Sequence, residues 1–378
     1  MAARAGLKKI QLVKVPTLSR RQFLQLSLAC GLGLTSRLSV AEDKQSFFLP
    51  AEYAKHQATW MAYAVRHRFW REDFMPAVRK NLVLIAQTIA KYEPVSLLVG
   101  PKELVRAREL FADAVSYIER PLDSLWLRDS APSLLLNPAG QMRAVNFHFQ
   151  GWDKPQDYER DTRLANFMAK QLQLELIDAD LKLDASNLEV DGAGTAILTE
   201  SSVFYAGRNS QLAKVQIENR LKRLAGIKKV IWLPGDPQSN LAQRRTDYYA
   251  RFVQAGIVLV SHEPNPDFKE YTLTLQHQAI LQAATDAKGQ RLNVVVVNKP
   301  PSVRSQFVSN SFAASYLGFY LCNGAVLLQE FGDPRADNAA RLALSKAFPE
   351  RKIELLNIDA LASGGASIHS VTRQQPSL

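Results

Sequence analysis

Between Glu72 and Glu93 apolar residues recur at Phe74, Val78, Leu82, Ile85 and Ile89, a spacing that lines them along one face of a helix. An extended run, VSLLVG, follows at once, and short apolar runs return as PSLLLN, TAILT, KKVIWL, GIVLVS, LNVVVVN, GAVLLQEF and IELLNI. Helical patterns such as NSQLAKVQIENRLKRLAG and PRADNAARLALSKAFPE stand between several of them. This alternation predicts an α/β fold, with no long linker or low-complexity tract to divide it. A doubly wound sheet and a radial repeat of small α/β units both satisfy the pattern.

Composition narrows the class. With 47% hydrophobic and 22% charged residues, the chain has the balance of a soluble globular protein rather than a disordered or fibrous one. Its net charge of +11 points toward nucleic acid, but residues 1–41 hold Arg4, Lys8, Lys9, Lys14, Arg20, Arg21 and Arg37 and no acid; without those seven the charge falls to +4. No nucleic-acid partner is expected.

The same segment reads as an export signal. A basic stretch leads into SRRQFL, then the mildly apolar LQLSLACGLGL, then SVA, with small residues where a signal peptidase cuts. The twin arginine and a run too short and glycine-rich to span a bilayer resemble a bacterial twin-arginine signal. Residues 1–41 are therefore assigned as the signal and 42–378 as the mature domain, located in the periplasm. Lipid anchoring at Cys30 is a weaker alternative, because Ser27 stands where such sites usually carry leucine.

Once Cys30 leaves with the signal, Cys322 is the one remaining cysteine, which excludes an internal disulfide in the mature chain. Cys322 lies in the apolar run YLCNGAVLL, where a buried structural thiol is the expected state. Six scattered histidines give no metal constellation. No cofactor is expected, and beyond the signal no apolar run is long enough for a membrane helix.

Three stretches carry candidate chemistry. In DSLWLRDSAP, Asp129 sits at the mouth of the strand PSLLLN; it is either a surface ion pair or a carboxylate for a cationic substrate. In RRTDYYARFV, Asp247 lies between aromatic residues, either as a satisfied hydrogen-bond partner or as a second such carboxylate. In LDASNLEVDGAGTAILTE, DGAG reads as a tight hairpin turn.

These stretches, taken in order with FFLPAEYAKHQATWMAYA, KKVIWLPGD, ASYLGFYLCNGAVLLQEFGDP and GGASIHSVTRQQP, resemble the agmatine deiminase and bacterial peptidylarginine deiminase family over residues 47–376. The resemblance implies a fivefold pseudo-symmetric α/β propeller of ββαβ units around a central pocket. It also implies hydrolysis of a guanidine group to a ureido group and ammonia, as in conversion of agmatine to N-carbamoylputrescine, with a small guanidine compound or an arginine-containing peptide as partner. In that chemistry a cysteine thiolate attacks the guanidinium carbon, a histidine moves protons, and two aspartates clamp the nitrogens. Guanidinium stays protonated at ordinary pH, so the nucleophile must itself be ionised. Homo-oligomerisation stays open.

The pattern departs where it matters. The aspartate of the family's WxRD motif falls on Asp129, beside Trp126, and the aspartate two residues after the catalytic histidine falls on Asp247. The histidine position itself is Arg245, the family's glutamate falls on Asp184, and the nucleophilic cysteine falls on Ser370. Trp126 and Asp184 are the expected substrate-binding residues. A serine hydroxyl is far harder to ionise than a thiol. If His369 and Ser370 lie on a strand they point to opposite faces, so His369 is not the missing base. Arg245 is expected to pair with Asp129 and Asp247 and to repel an incoming guanidinium. The expectation is an exported, catalytically silent member of a hydrolase family; an active or weak deiminase and a purely structural propeller are the alternatives.

Overall fold

The computed structural model describes residues 46–152, 158–205 and 208–378; the expected signal at 1–41 lies outside them. Phe47–Leu378 forms one compact unit. Its strands are β1 (His56–Tyr63), β2 (Val95–Val99), β3 (Ser116–Glu119), β4 (Ser133–Leu136), β5 (Met142–Asn146), β6 (Leu176–Asp178), β7 (Glu189–Val190) and β8 (Thr195–Thr199). There follow β9 (Lys229–Leu233), β10 (Ala250–Gln254), β11 (Ile257–His262), β12 (Asn293–Asn298), β13 (Tyr320–Cys322), β14 (Ala325–Gln329), β15 (Lys352–Leu356) and β16 (Thr372–Pro376).

The strands form five separate sheets of one design. In β4-β5-β6, β7-β8-β9, β10-β11-β12 and β13-β14-β15 the first pair is antiparallel and the second parallel. A parallel pair needs a crossover, which helices Leu164–Gln171, Lys214–Ala225, Glu270–Ala283 and Pro334–Ala347 supply. The fifth sheet, β16-β1-β2-β3, repeats the design with strands from opposite ends of the unit. There β16 runs antiparallel to β1, with Trp60 opposite Arg373, β1 runs parallel to β2, and helix Met75–Ile89 makes the crossover. The radial repeat is thus the arrangement adopted, and the terminal motif GGASIHSVTRQQP closes the ring.

Local chemistry explains the turns. In DGAG, Asp191 Oδ1 accepts from the backbone N–H groups of Ala193 and Thr195, both at 2.8 Å, while Gly192 and Gly194 take positive φ of 67° and 105°. Asp333 caps helix Pro334–Ala347 through the N–H groups of Arg335 and Ala336. The predicted helical face of Val78, Leu82, Ile85 and Ile89 is buried, whereas Phe74 belongs to a preceding 3₁₀ turn and is half-buried. Among the described residues no helix is long and apolar enough to cross a membrane.

Candidate active site

Each sheet is entered through a short turn. One-turn helices Leu127–Ser130 and Thr246–Tyr249 precede β4 and β10, and 3₁₀ turns Ala185–Asn187 and Tyr316–Gly318 precede β7 and β13. A non-strand turn at 368–371 precedes β16. These entries carry Asp129, Asp247, the Asp184–Ser186 stretch and His369–Ser370, so the repeat gathers residues far apart in sequence. Asp129 and Asp247 lie inside one-turn helices that lead directly into β4 and β10, so Asp129 stands at the mouth of its strand. His369 and Ser370 lie in a turn, so the opposite-faces argument drawn from a strand does not apply.

Ser370 is fully buried, and its hydroxyl is occupied locally. It accepts from the backbone N–H of Ser367 at 2.8 Å and donates to the carbonyl of Ser367 at 3.0 Å, while the Ser370 N–H donates to Ser367 Oγ. The preceding glycines hold this turn. A Cβ on Gly364 would stand 2.4 Å from the Trp70 ring, and Gly365 has φ of 85°.

His369 turns away from Ser370 to two carboxylates: Nδ1 lies 2.6 Å from Asp247 Oδ2 and Nε2 lies 2.9 Å from Glu52 Oε2. Burial, then Arg128 and Arg251, lower its pKa against the opposing pull of Glu52 and Asp247. Neither ring nitrogen is left for Ser370. It is unavailable as the base, as expected, but because of these partners.

Arg245, 3% exposed, donates from Nε to Asp247 Oδ1 at 3.1 Å. Burial works against the charge of Asp247, but the guanidinium of Arg245 and the bond from His369 outweigh it and hold the carboxyl well below its ordinary range. The expected pairing with Asp129 is not direct. Asp129 Oδ2 accepts from the indole N–H of Trp152 at 3.2 Å. Burial, then the charge of Asp184, push Asp129 up to about 7, with Arg245 acting from a distance in the other direction. Asp184 is itself engaged, its Oδ2 lying 2.6 Å from Arg208 Nη1.

Trp126, expected to line the substrate pocket, is buried in an aromatic stack. Its ring lies 5.2 Å from that of Trp70 at an interplanar angle of 11° and 5.2 Å from Trp152 at 72°. Trp152 is the ring that reaches the carboxylate. Over Arg245 and Asp184 opens a narrow cleft, lined also by Trp152, Tyr205, Arg208 and Arg244, with about 10 Å³ open to the centre of a water, which is room for one. Asp129 Oδ1, Asp184 Oδ1 and Arg245 Nη1 are buried without protein partners.

Sequence reasoning assigned no role to Glu52, Arg128, Arg251 or Glu189, yet these form the hub behind the site. Glu52 Oε1 accepts from Arg251 Nη2 at 2.8 Å and from the Leu321 N–H at 3.0 Å; Oε2 accepts from Arg128 Nη2 at 2.9 Å. Glu189 Oε2 accepts from Arg251 Nε at 3.1 Å. A visible signal existed in YYARFV, where an arginine interrupts an apolar strand and needs a buried anion. Cys322 is buried and free, with a thiol pKa pushed far up by burial. Among the described residues no group of three or more metal-ligating side chains occurs.

The family model of Porphyromonas-type peptidyl-arginine deiminase matches residues 48–376. A Streptomyces avermitilis protein provisionally named agmatine deiminase is 33% identical over 339 residues, covering 87% of this chain and 97% of that protein. A similarly named Selenomonas ruminantium protein is 32% identical, covering 88% and 96%. Among solved structures, the agmatine deiminase of Enterococcus faecalis superposes with a TM-score of 0.81 at 25% identity, covering 89% of this chain and 97% of that one.

Proposed function

The chain belongs to the Porphyromonas-type peptidyl-arginine deiminase family, and from that membership we propose that it is an exported member whose propeller binds its ligand without hydrolysing guanidines. The observation that carries this reading is the closed hydrogen-bond exchange between Ser370 and Ser367. A nucleophile must present a lone pair to carbon and a proton to a base. The Ser370 hydroxyl spends both on its own turn, and no base reaches it.

Arg245 supports the same reading. A guanidinium already stands 3.1 Å from Asp247, in the place where a guanidine substrate would need the carboxylate. The export part rests on the sequence SRRQFL followed by a short apolar run and SVA.

A weakly active deiminase is a second reading, favoured by one observation: Asp129 Oδ1 and Asp184 Oδ1 are buried and unpaired, as carboxylates awaiting a cation would be. Incubation of the wild-type protein with agmatine, free arginine and peptidyl-arginine decides between them. No ammonia or ureido product above the buffer control is expected; product formation by the wild type overturns the silent reading.

A further inference from the structure

Each of the five sheets ends on a parallel strand: β3, β6, β9, β12 or β15. An edge strand offers unpaired N–H and C=O groups to any other strand, and short length and charged side chains ordinarily guard it. Four of these edges are guarded in that way. Strand β3 carries Glu119, β6 Asp178, β9 Lys229, and β15 Lys352 with Glu354, and none of them exceeds five residues. The remaining edge, β12, is six residues long, reads NVVVVN and has no charge. Val296, near its centre, is 37% exposed.

The ladder fixes which backbone groups of β12 are free. The N–H of Asn293 donates to the Gly256 carbonyl at 2.8 Å and that of Lys299 to the His262 carbonyl at 2.8 Å, so the odd-numbered residues turn their N–H and C=O toward β11. These directions alternate along a strand, and the N–H and C=O of Val294, Val296 and Asn298 therefore point to the open edge. On one face of β12, Val295 and Val297 pack in a cluster with Ala340 and Leu344 of helix Pro334–Ala347. Beside the edge runs a groove of about 430 Å³ open to water, lined by Ala336, Ala339, Ala340 and Ala343 of that helix and reaching Val296 and Asn298. The small alanine side chains leave room there for those of an added strand.

We propose that β12 is the docking edge for a second copy of this chain, the two strands pairing antiparallel about a two-fold axis at Val296 and joining two three-stranded sheets into one of six strands. Self-complementarity identifies the occupant. Residues directly opposite in an antiparallel pair both point toward each other or both away, so an outward residue must meet an outward residue. With Val296 opposite Val296, Val294 meets Asn298, and all three outward residues of each strand are paired. Centring on Val295 would call on Leu292, whose N–H is already given to the Ala284 carbonyl, and centring on Val297 would call on Pro300, which has no N–H. In the Val296 register Val295 meets Val297 and Lys299 meets Asn293, so no charge opposes its like across an isologous contact. This contact stands whether or not the deiminase-like site turns over.

Sedimentation velocity of the wild-type protein over a range of concentrations tests this, with a dimer expected. Val296→Lys sets two ammonium groups against each other at the axis, on a side chain that is already part-exposed, and is expected to raise the dimer Kd on the order of tenfold or more. Cysteine cross-linking in a Cys30→Ser background, where Cys322 is buried, reads the register and does not need the lysine variant to fold. In Val296→Cys the two Cα atoms stand about 5.5 Å apart, within disulfide reach, so oxidation is expected to give a covalent dimer on a non-reducing gel. In Asn293→Cys the two positions stand about 20 Å apart along the strands, and no covalent dimer is expected. A wild-type protein that stays monomeric, a dimer that Val296→Lys leaves unchanged, or cross-linking of Val296→Cys no better than that of Asn293→Cys overturns the proposal.

Discussion

Ser370 and Ser367 bond each other through three contacts: Ser367 N–H to Ser370 Oγ at 2.8 Å, Ser370 Oγ–H to Ser367 carbonyl at 3.0 Å, and Ser370 N–H to Ser367 Oγ at 3.2 Å. Ser370 is therefore a structural element of the turn that leads into β16. Ser370→Ala is expected to destabilise the fold by about 1–3 kcal/mol, because the buried Ser367 N–H loses its acceptor. Urea denaturation measures this. A neutral substitution would show that the exchange contributes nothing to the closing turn.

Arg245 makes the site self-neutralising. Arg245→Gln removes the cation that faces Asp247 and acts on Asp129 and Asp184, and is expected to cost about 3–5 kcal/mol. Added agmatine is expected to recover part of that loss in the variant, seen as a saturable rise in Tm, while leaving the wild type unmoved. An identical response from both proteins would contradict the account of Arg245 as an internal occupant.

The pH dependence of stability follows from Asp129, raised in the folded state to about 7. Below the unfolded value of about 4 both states hold the proton and the group contributes nothing. Between about 4 and 7 the unfolded chain ionises first, so stability falls by up to about 1.4 kcal/mol per pH unit. Asp247, depressed by Arg245, has the opposite sign and acts below this window. The stability of Asp129→Asn relative to wild type should therefore rise from pH about 4 to about 7 and then level off. A difference that stays flat across that range would mean Asp129 is an ordinary carboxylate.

The proposed export rests on the twin arginine, a feature read by a receptor rather than by membrane affinity. Arg20→Lys combined with Arg21→Lys is expected to leave the full-length protein in the cytoplasm while wild type reaches the periplasm, as cell fractionation would show. Equal periplasmic recovery of both would remove the twin-arginine assignment.

The strands were legible because each is a short, nearly uniform apolar run, and runs such as TAILT and GIVLVS coincide with β8 and β11. The closure of the ring was not, because β16 pairs with β1 across the whole unit and carries polar residues, Arg373, Gln374 and Gln375, that show no apolar alternation. Asp129, Asp247, Arg245 and Ser370 could be named because each sits inside a compact motif. Glu52 and Arg251 could not, since they meet across 199 positions and neither has a local partner to announce it. Trp126 was named because it shares the WxRD motif with Asp129, but in the structure it lies in the aromatic stack and Trp152 bonds the carboxylate.

The most direct test compares ammonia and ureido release from agmatine and peptidyl-arginine by the wild type, by Ser370→Ala, and by the double variant Ser370→Cys with Arg245→His. The account predicts silence from the first two and product from the double variant, which puts a thiol and an imidazole at the positions that the family resemblance assigns to nucleophile and proton shuttle. Turnover by the wild type that Ser370→Ala leaves unchanged would contradict it, and would assign the chemistry to another nucleophile.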